Sequence, residues 1–149
     1  MRKGHMALLV SVLLTLGSTI VIIWFSGQDS GRSNALSGAL AAWMLSAFGL
    51  QSTAESMELL NLILRKLAHF TLYFLLGVGL TGLVRNGKRV PAVLTVVILG
   101  GLFAASDEFH QQFSQGRTPG VWDVLLDTCG VFAGWAVSAG LRWLGRKRK

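Results

Sequence analysis

Four long apolar stretches constrain the fold of this chain more than any other feature of its sequence. They run from Met6 to Phe25, from Leu67 to Val84, from Val90 to Ser106 and from Val121 to Leu144. A helix needs about 20 predominantly apolar residues to cross a bilayer, and 52% of the 149 residues are hydrophobic while only 14% are charged. That balance is too apolar for an ordinary soluble domain. The sequence therefore predicts an all-α, polytopic membrane protein, a single four-helix bundle that occupies residues 1–149.

Lysine and arginine residues concentrate on one side of the predicted membrane. Two precede the first span, three join the second span to the third, and five lie at the end of the chain, which is ten of the 14. Short loops rich in lysine and arginine stay in the cytoplasm, so both termini are expected to be cytoplasmic. All seven acidic residues then fall on the outer side. The net charge of +7 therefore reflects an excess of basic residues on the cytoplasmic side. Such an excess predicts contact with the anionic lipid of the inner leaflet rather than with nucleic acid.

The first span is expected to stay in the mature protein rather than to be cleaved as a signal peptide. Its apolar core of about 20 residues exceeds the roughly 7–15 of a signal sequence, and no Ala-x-Ala cleavage site follows it. The chain has one cysteine, Cys129, within the fourth span, which excludes an intrachain disulfide. We expect this cysteine to be a small packing residue.

The outer connection from Ser26 to Leu64 is too long for a bare loop, and its pattern predicts helices. The apolar residues that share one helical face are Leu36, Leu40, Trp43, Met44, Ala47 and Phe48. A tryptophan on such a face is typical of a helix that lies flat on a membrane surface. Ser52 followed by Glu55 predicts a capping box that opens a further helix leading into the second span. Residues 35–64 are therefore expected to form an outer, interfacial helical segment.

Polar residues cluster at the outer ends of the second, third and fourth spans, where each set is grouped around one helical face. They are Arg65, Lys66, His69 and Tyr73 in the second span, Asp107, Glu108, His110 and Gln111 in the third, and Asp123 and Asp127 in the fourth. An ionised group that faces lipid costs about 3 kcal/mol even on a lenient scale. We therefore expect these groups to face one another in a shared cavity. Gly130 and Gly134 continue the face of the two acids and predict that a neighbouring helix approaches closely.

A purely structural interpretation is the alternative to a functional site. In it, a basic residue of the second span pairs with Asp107 or Asp123 only to close the bundle, although a buried pair of that kind contributes little net stability. The surplus of polar groups argues against it. Two histidines, two acids in sequence and Arg117 in a glycine-bounded turn are more than the packing of helices requires.

These motifs resemble the VanZ-like family of bacterial membrane proteins. The resemblance is carried by Arg65-Lys66-x-x-His69-x-x-x-Tyr73-x-x-x-Gly77, by Asp107-Glu108-x-His110-Gln111, by Gly116-Arg117, by Asp123-x-x-x-Asp127-x-x-Gly130-x-x-x-Gly134, and by Phe25-Ser26-x-Gln28 after the first span. It implies a multi-pass protein of the bacterial cell membrane, with some members linked to resistance to teicoplanin and related lipoglycopeptides. It implies no settled reaction. Members tend to carry Asn where this chain has Asp127, which adds a negative charge.

The sequence leaves three functions open. The first is recognition of an anionic envelope lipid or lipid-linked precursor, with tolerance to teicoplanin-type lipoglycopeptides as the expected consequence. Its ligand-binding residues are expected to be Ser26, Gln28, Arg65, Lys66, Tyr73, Gln111, Arg117 and Asp127. The second is a membrane enzyme that acts on such a lipid, with a histidine as general base. Its catalytic residues are expected to be His69, Asp107, Glu108, His110 and Asp123.

The third function is binding of a divalent metal that bridges a phosphate, with those same five residues as donors. No His-Glu-x-x-His motif and no cysteine pair occurs in the sequence, so the sequence by itself assigns no metal ligands and identifies no cofactor. The expected partners are membrane lipids, and a homodimer is left open.

Overall fold

The computed structural model describes residues 2–84, 91–114 and 120–147, and over these residues the chain is helical without any strand. The helices are α1 (Arg2–Ser26), α2 (Ser30–Ala47), α3 (Ala54–Leu83), α4 (Ala92–Gln111) and α5 (Val121–Lys147). All except α2 are long and apolar enough to cross a membrane. The prediction of an all-α protein with four candidate spans and one extra helix is therefore confirmed.

Helix α3 lies at the centre of the bundle, where it contacts each of the other four helices. Its most extensive interfaces are with α5 and α1, and α4 packs mainly against α5. The 30 residues of α3 extend over about 45 Å, which exceeds the roughly 30 Å of a hydrocarbon core. One continuous helix therefore contains both the second half of the predicted outer segment and the second span.

The start of α3 differs by one residue from the predicted capping box. Thr53 is the N-cap, and its hydroxyl accepts a hydrogen bond from the Ser56 amide at 3.1 Å. The Ser56 hydroxyl in turn accepts one from the Thr53 amide at 2.9 Å. The prediction of Ser52 with Glu55 was wrong, because a serine three residues after Thr53 supplies the reciprocal bond one position further along.

The third span also differs at both ends from its predicted bounds. Pro91 is the N-cap of α4, so the helix begins at Ala92. At the other end, α4 continues past Ser106 to Gln111. The polar residues 107–111 therefore belong to the helix itself and keep its geometry.

Helix α2 packs against α3, and the large residues of its predicted apolar face are not the ones that are buried. Ala41 is fully buried and Leu45 is 5% exposed, whereas Leu36, Leu40 and Trp43 of the predicted apolar face are exposed. Much of the surface of these three side chains is therefore left exposed by the bundle, although Leu36 and Leu40 also border a cavity beside α3. This arrangement suits a helix at a membrane interface, and the placement of α2 on the outer surface stays a prediction.

Glycines allow α3 and α5 to pack backbone against backbone. A Cβ atom at Gly130 would lie 2.8 Å from the Phe70 carbonyl oxygen, and one at Gly134 would lie 2.9 Å from the Val78 amide nitrogen. Side-chain carbon atoms essentially never approach backbone this closely. The predicted close approach of a neighbouring helix is confirmed, and it fixes the part of α5 that carries Asp127.

The buried core draws on α1, α3, α4 and α5. Its members are Ile22, Tyr73, Leu76, Val96, Ala104 and Val131. Many large apolar side chains on the outward faces of these helices are exposed, as expected of helices that face lipid. Cys129 is exposed as well, so the expectation of a packing residue was wrong. The buried face of α5 is formed by its neighbours Asp127, Gly130 and Val131.

Candidate functional site

Polar side chains from four helices meet at one end of the bundle, which we call the acidic end. It is formed by the last residue of α1, the part of α3 from Arg65 to Tyr73, the end of α4 and the start of α5. The buried polar side chains there, each at most 6% exposed, are Ser26, Asp107, Glu108, Gln111 and Asp127. Residues far apart in the sequence are thus brought to one level of the bundle.

Ser26, Asp107 and Gln111 form a closed triangle of hydrogen bonds between α1 and α4. The Ser26 hydroxyl donates to Asp107 Oδ1 at 2.5 Å. Gln111 Nε2 donates to Asp107 Oδ2 and to Ser26 Oγ, each at 3.0 Å. Because a donor holds each oxygen of Asp107, the buried carboxyl group has a fixed orientation.

His69 and Asp127 connect α3 to α5 just beside this triangle. His69 Nδ1 lies 3.4 Å from Asp127 Oδ2, and the Asp127 side chain is fully buried while 23% of the His69 side chain is exposed. The hydroxyl of the fully buried Tyr73 faces Asp107. Neither this hydroxyl nor Asp127 Oδ1 completes a hydrogen bond with a residue that the structure describes.

Two further acids tie the start of α5 to its neighbours. Asp123 forms an ion pair with Lys66. The Asp123 side chain is 28% exposed and the Lys66 side chain is 43% exposed. At this exposure, such a pair contributes at most about 1 kcal/mol. Glu108 Oε2 accepts a hydrogen bond from the Gly120 amide at 3.1 Å, directly before α5 begins.

The buried carboxyl groups outnumber the cations that pair with them. Asp107, Glu108 and Asp127 are buried, and in the described ranges the one ion pair made by these three joins Asp127 to His69. A buried carboxylate without a partner costs on the order of several kcal/mol. Hydrogen bonds to Asp107 and Glu108 offset part of this cost, and a bound proton or cation would offset more of it.

A cavity of about 310 Å³ adjoins the acidic end between α1, α2 and α3. Its apolar walls are formed by Phe25, Leu36, Leu40, Leu64, Ala68 and Leu72. Arg65 and His69 line the same cavity, and among the described residues no acid does. Arg65 is also positioned by Asn34 of α2, whose Oδ1 accepts a hydrogen bond from Arg65 Nη1 at 3.4 Å. The cavity thus combines hydrocarbon walls with a guanidinium group and an imidazole.

Three of the predicted site residues stand apart from this arrangement. His110 lies on the exposed surface of α4. Gln28 lies just beyond α1, and its Oε1 is buried with no hydrogen-bond partner in the described part of the chain. Arg117 lies outside the described residues. The other ten predicted residues are Ser26, Arg65, Lys66, His69, Tyr73, Asp107, Glu108, Gln111, Asp123 and Asp127, and all are at the acidic end.

The structure adds residues that the sequence did not single out. Asn34 positions Arg65, and the Ser114 hydroxyl donates to the Ser26 carbonyl oxygen at 3.1 Å. The Gly120 amide binds Glu108. Each contact joins residues from different elements, and no local sequence pattern marks any of the three.

A family model described as VanZ/LLP1 matches residues 9–142 of the chain. The matched range reaches into all five helices and contains every residue of the acidic end. No curated protein and no solved structure matches the chain.

Proposed function

The chain belongs to the VanZ/LLP1 family, and from this membership and the geometry of the site we propose that its acidic end recognises an anionic membrane lipid or a lipid-linked envelope precursor that carries phosphate. The observation that carries this proposal is the cavity between α1, α2 and α3. Its apolar walls suit a hydrocarbon chain, and the guanidinium of Arg65 binds phosphate oxygens through charge-assisted hydrogen bonds. A ligand with an apolar chain and an anionic head matches both parts of this lining.

The buried acids support the cavity from inside the bundle. Asp127 contacts His69 Nδ1, and this contact orients a ring that also lines the cavity. A histidine held through one nitrogen presents the other to a ligand. No acid among the described residues lines the cavity itself, which suits an anionic ligand.

We further propose that both termini are cytoplasmic, so that the acidic end opens towards the outer leaflet. The distribution of lysine and arginine supports this orientation. Binding of a lipid-linked precursor at the outer face gives the protein a role in the cell envelope. Tolerance to teicoplanin-type lipoglycopeptides is the cellular consequence that we expect of it.

Titration with a phosphate-bearing lipid tests the binding proposal. The purified protein in detergent is titrated with a polyprenyl phosphate and, as matched control, with the corresponding polyprenol, and binding is followed by native mass spectrometry. We expect the phosphate to bind and the alcohol to bind at least about tenfold more weakly, because a hydrogen bond to a charged group contributes about 1.5–3 kcal/mol. Arg65→Gln should weaken binding of the phosphate by a similar factor.

Arg146→Gln is the control variant, because it makes the same charge change on the exposed opposite end of α5. It should bind the phosphate as the wild type does. Equal binding of the two lipids, or equal loss in the two variants, contradicts recognition of phosphate in the cavity.

The contact between His69 and buried Asp127 beside the cavity favours a second candidate function, a membrane enzyme with His69 as general base. Mass spectrometry of the lipid recovered from the same incubation separates the two functions. Unaltered lipid supports recognition alone. A new lipid species that is absent with His69→Gln supports catalysis.

Cysteine labelling tests the orientation. In a Cys129→Ser background, single cysteines are introduced by Ser52→Cys, just before α3, and by Gly145→Cys, near the end of α5, both at exposed positions. We expect a membrane-impermeant maleimide to label the first in intact cells and the second only after permeabilisation. The reverse pattern contradicts an outer acidic end.

A further inference from the structure

Three potential metal donors converge at the acidic end. His69 of α3, Asp107 of α4 and Asp127 of α5 each offer one donor atom, and these atoms all lie within 4.8 Å of one another. Two donors that are each about 2.0–2.2 Å from a shared ion lie at most about 4.4 Å apart. The helices therefore hold the three groups within a few tenths of an ångström of coordination distance.

Two buried atoms in the same place lack the partners that buried polar atoms normally have. Asp127 Oδ1 and the Tyr73 hydroxyl make no hydrogen bond within the described ranges, and both residues are fully buried. The Tyr73 hydroxyl faces Asp107. An unsatisfied buried polar atom costs about 1–3 kcal/mol. One such atom belongs to a donor residue and the other lies beside the donors, which indicates a ligand that supplies the missing contacts.

A divalent cation would contact the oxygen atoms of Asp127 and Tyr73 that lack partners, and it would also balance the negative charge of the site. The carboxylates of Asp107 and Asp127 together carry two negative charges, which a divalent ion neutralises, whereas a protonated His69 neutralises one. A neutral imidazole beside two carboxylates favours Zn²⁺ or Mn²⁺. Calcium ions prefer six to eight oxygen ligands, and this donor set does not offer them.

The surroundings of Asp107 resemble the outer shell of a metal site. Ser26 and Gln111 each donate a hydrogen bond to one of its oxygens, which leaves a lone pair on each oxygen for an ion. Hydrogen bonds of this kind orient ligating carboxylates. The other donors considered on the sequence are engaged or distant. Asp123 pairs with Lys66, Glu108 accepts a hydrogen bond from the Gly120 amide, and His110 is exposed.

We propose that His69, Asp107 and Asp127 bind one divalent transition-metal ion, Zn²⁺ or Mn²⁺, with the Tyr73 hydroxyl beside it. The metal site is a separate proposal from lipid recognition and does not depend on it, because all three donors are side chains of the protein. His69 connects the two, since it is both a donor to the ion and part of the cavity lining.

Metal content tests the site directly. The full-length protein is purified in detergent, stripped with a chelator, loaded with Zn²⁺ or Mn²⁺ alone and desalted. We expect about one ion per chain by elemental mass spectrometry and a higher Tm of the loaded protein, because a ligand that binds only the folded state stabilises it. In the Mn²⁺-loaded protein, electron spin echo modulation should report a coordinated imidazole nitrogen, and His69→Gln should remove that signal.

Matched variants distinguish a defined site from general attraction by acids. Asp127→Asn keeps the size of the side chain and removes its charge, and it should weaken binding by more than the roughly 10–100-fold that loss of an outer-shell partner costs. Ser26→Ala removes such a partner and should fall within that range. His110→Gln, which alters an exposed histidine, should bind as the wild type does. Glu108→Gln, which alters a buried acid outside the group, should lose much less affinity than Asp127→Asn.

Wild-type protein that retains no stoichiometric ion overturns the proposal, as does Asp127→Asn that binds as tightly as the wild type. Equal loss in Glu108→Gln also overturns it, because that result indicates general charge attraction. Circular dichroism and size exclusion establish first that each variant is folded. If Asp127→Asn is not folded, the proposal is judged on the wild type alone, by its metal content and by the signal of a coordinated imidazole nitrogen in the Mn²⁺-loaded protein. Lipid is absent throughout, so this outcome is independent of the lipid titration.

Discussion

Gly134→Ala is expected to lower the free energy of unfolding by about 1–3 kcal/mol or more, because it overpacks the interface between α3 and α5. An added Cβ would clash with the Phe74 carbonyl oxygen and lie 2.9 Å from the Val78 amide nitrogen. These are backbone atoms, which cannot rotate away as the end of a side chain can. The two helices must separate, and the separation extends to Asp127, two helical turns nearer the start of α5. We therefore expect the contact between Asp127 and His69 to be lost as well.

Gly140→Ala is the matched control on the same helix, since nothing lies within 4 Å of a Cβ atom at that position. Alanine is more stable than glycine in a helix by about 0.5–1 kcal/mol, so this variant should be neutral or slightly stabilised. Thermal unfolding of both proteins in one detergent, followed as the loss of monodisperse protein, measures the difference. Equal Tm values would contradict backbone packing between α3 and α5.

The architecture could be predicted from the sequence because hydropathy and helical periodicity are local properties. Four apolar stretches of sufficient length give four spans. The spacing of Lys66 and His69, and that of Asp123 and Asp127, depends only on 3.6 residues per turn. The sequence therefore placed Lys66 and His69 on one face of α3, and Asp123 and Asp127 on one face of α5. These are the residues that form the two pairs between the helices. Which residues on those faces pair with each other depends on the packing of the helices.

The rotation of α4 shows where this reasoning stops. The sequence grouped His110 with the residues that face the site, yet His110 is exposed and Glu108 is buried. The rotation is set earlier in the helix, where a Cβ at Gly100 would lie 2.6 Å from the side chain of Val131 and where Ala104 is fully buried. Glu108 follows Ala104 by four residues and so continues the buried stripe. Small residues at Gly100 and Ala104 were the sequence signal that could have identified it.

The triangle at Ser26 and the cavity could not be predicted from local patterns. Ser26 and Asp107 are 81 residues apart, and their contact exists only once α1 and α4 are packed. The cavity likewise requires α2 to lie against α3, because Leu36 and Leu40 form part of its wall. The sequence identified the apolar face to which these leucines belong, whereas its position against α3 is a property of the folded bundle.

Asp107→Asn is expected to lower the free energy of unfolding by about 1–3 kcal/mol although the side chain keeps its size. Asp107 accepts a hydrogen bond from Ser26 through one oxygen and from Gln111 through the other. An asparagine has a single carbonyl oxygen, and when that oxygen accepts from Gln111 the amide group faces Ser26 Oγ, so the serine hydroxyl can no longer donate to residue 107. The variant therefore loses the buried hydrogen bond that Ser26 donates, together with the negative charge that both donors contact.

The double variant Asp107→Asn with Gln111→Glu exchanges the two groups. It places the carboxylate one turn further along α4 and the amide at position 107, so that donors and acceptors match again. We expect it to recover most of the stability that Asp107→Asn loses, measured by thermal unfolding in detergent. Asp123→Asn serves as the control for loss of an acid at the acidic end. Because its pair with Lys66 is partly exposed, it should cost at most about 1 kcal/mol.

Recovery of stability in the double variant separates a structural role of Asp107 from a role as ligand. If the carboxylate only closes the bundle, a folded double variant should bind metal and lipid as the wild type does. If Asp107 is a metal donor, the charge moves to a carboxylate that takes the place of the Gln111 amide, whose Nε2 lies 3.0 Å from Asp107 Oδ2. That shift is larger than the few tenths of an ångström by which the site can contract. The double variant should then fold and bind no ion. A folded double variant with wild-type metal content would assign Asp107 to packing, whereas a folded one without metal would mean that the position of this carboxylate, and not merely the number of acids around it, defines the site.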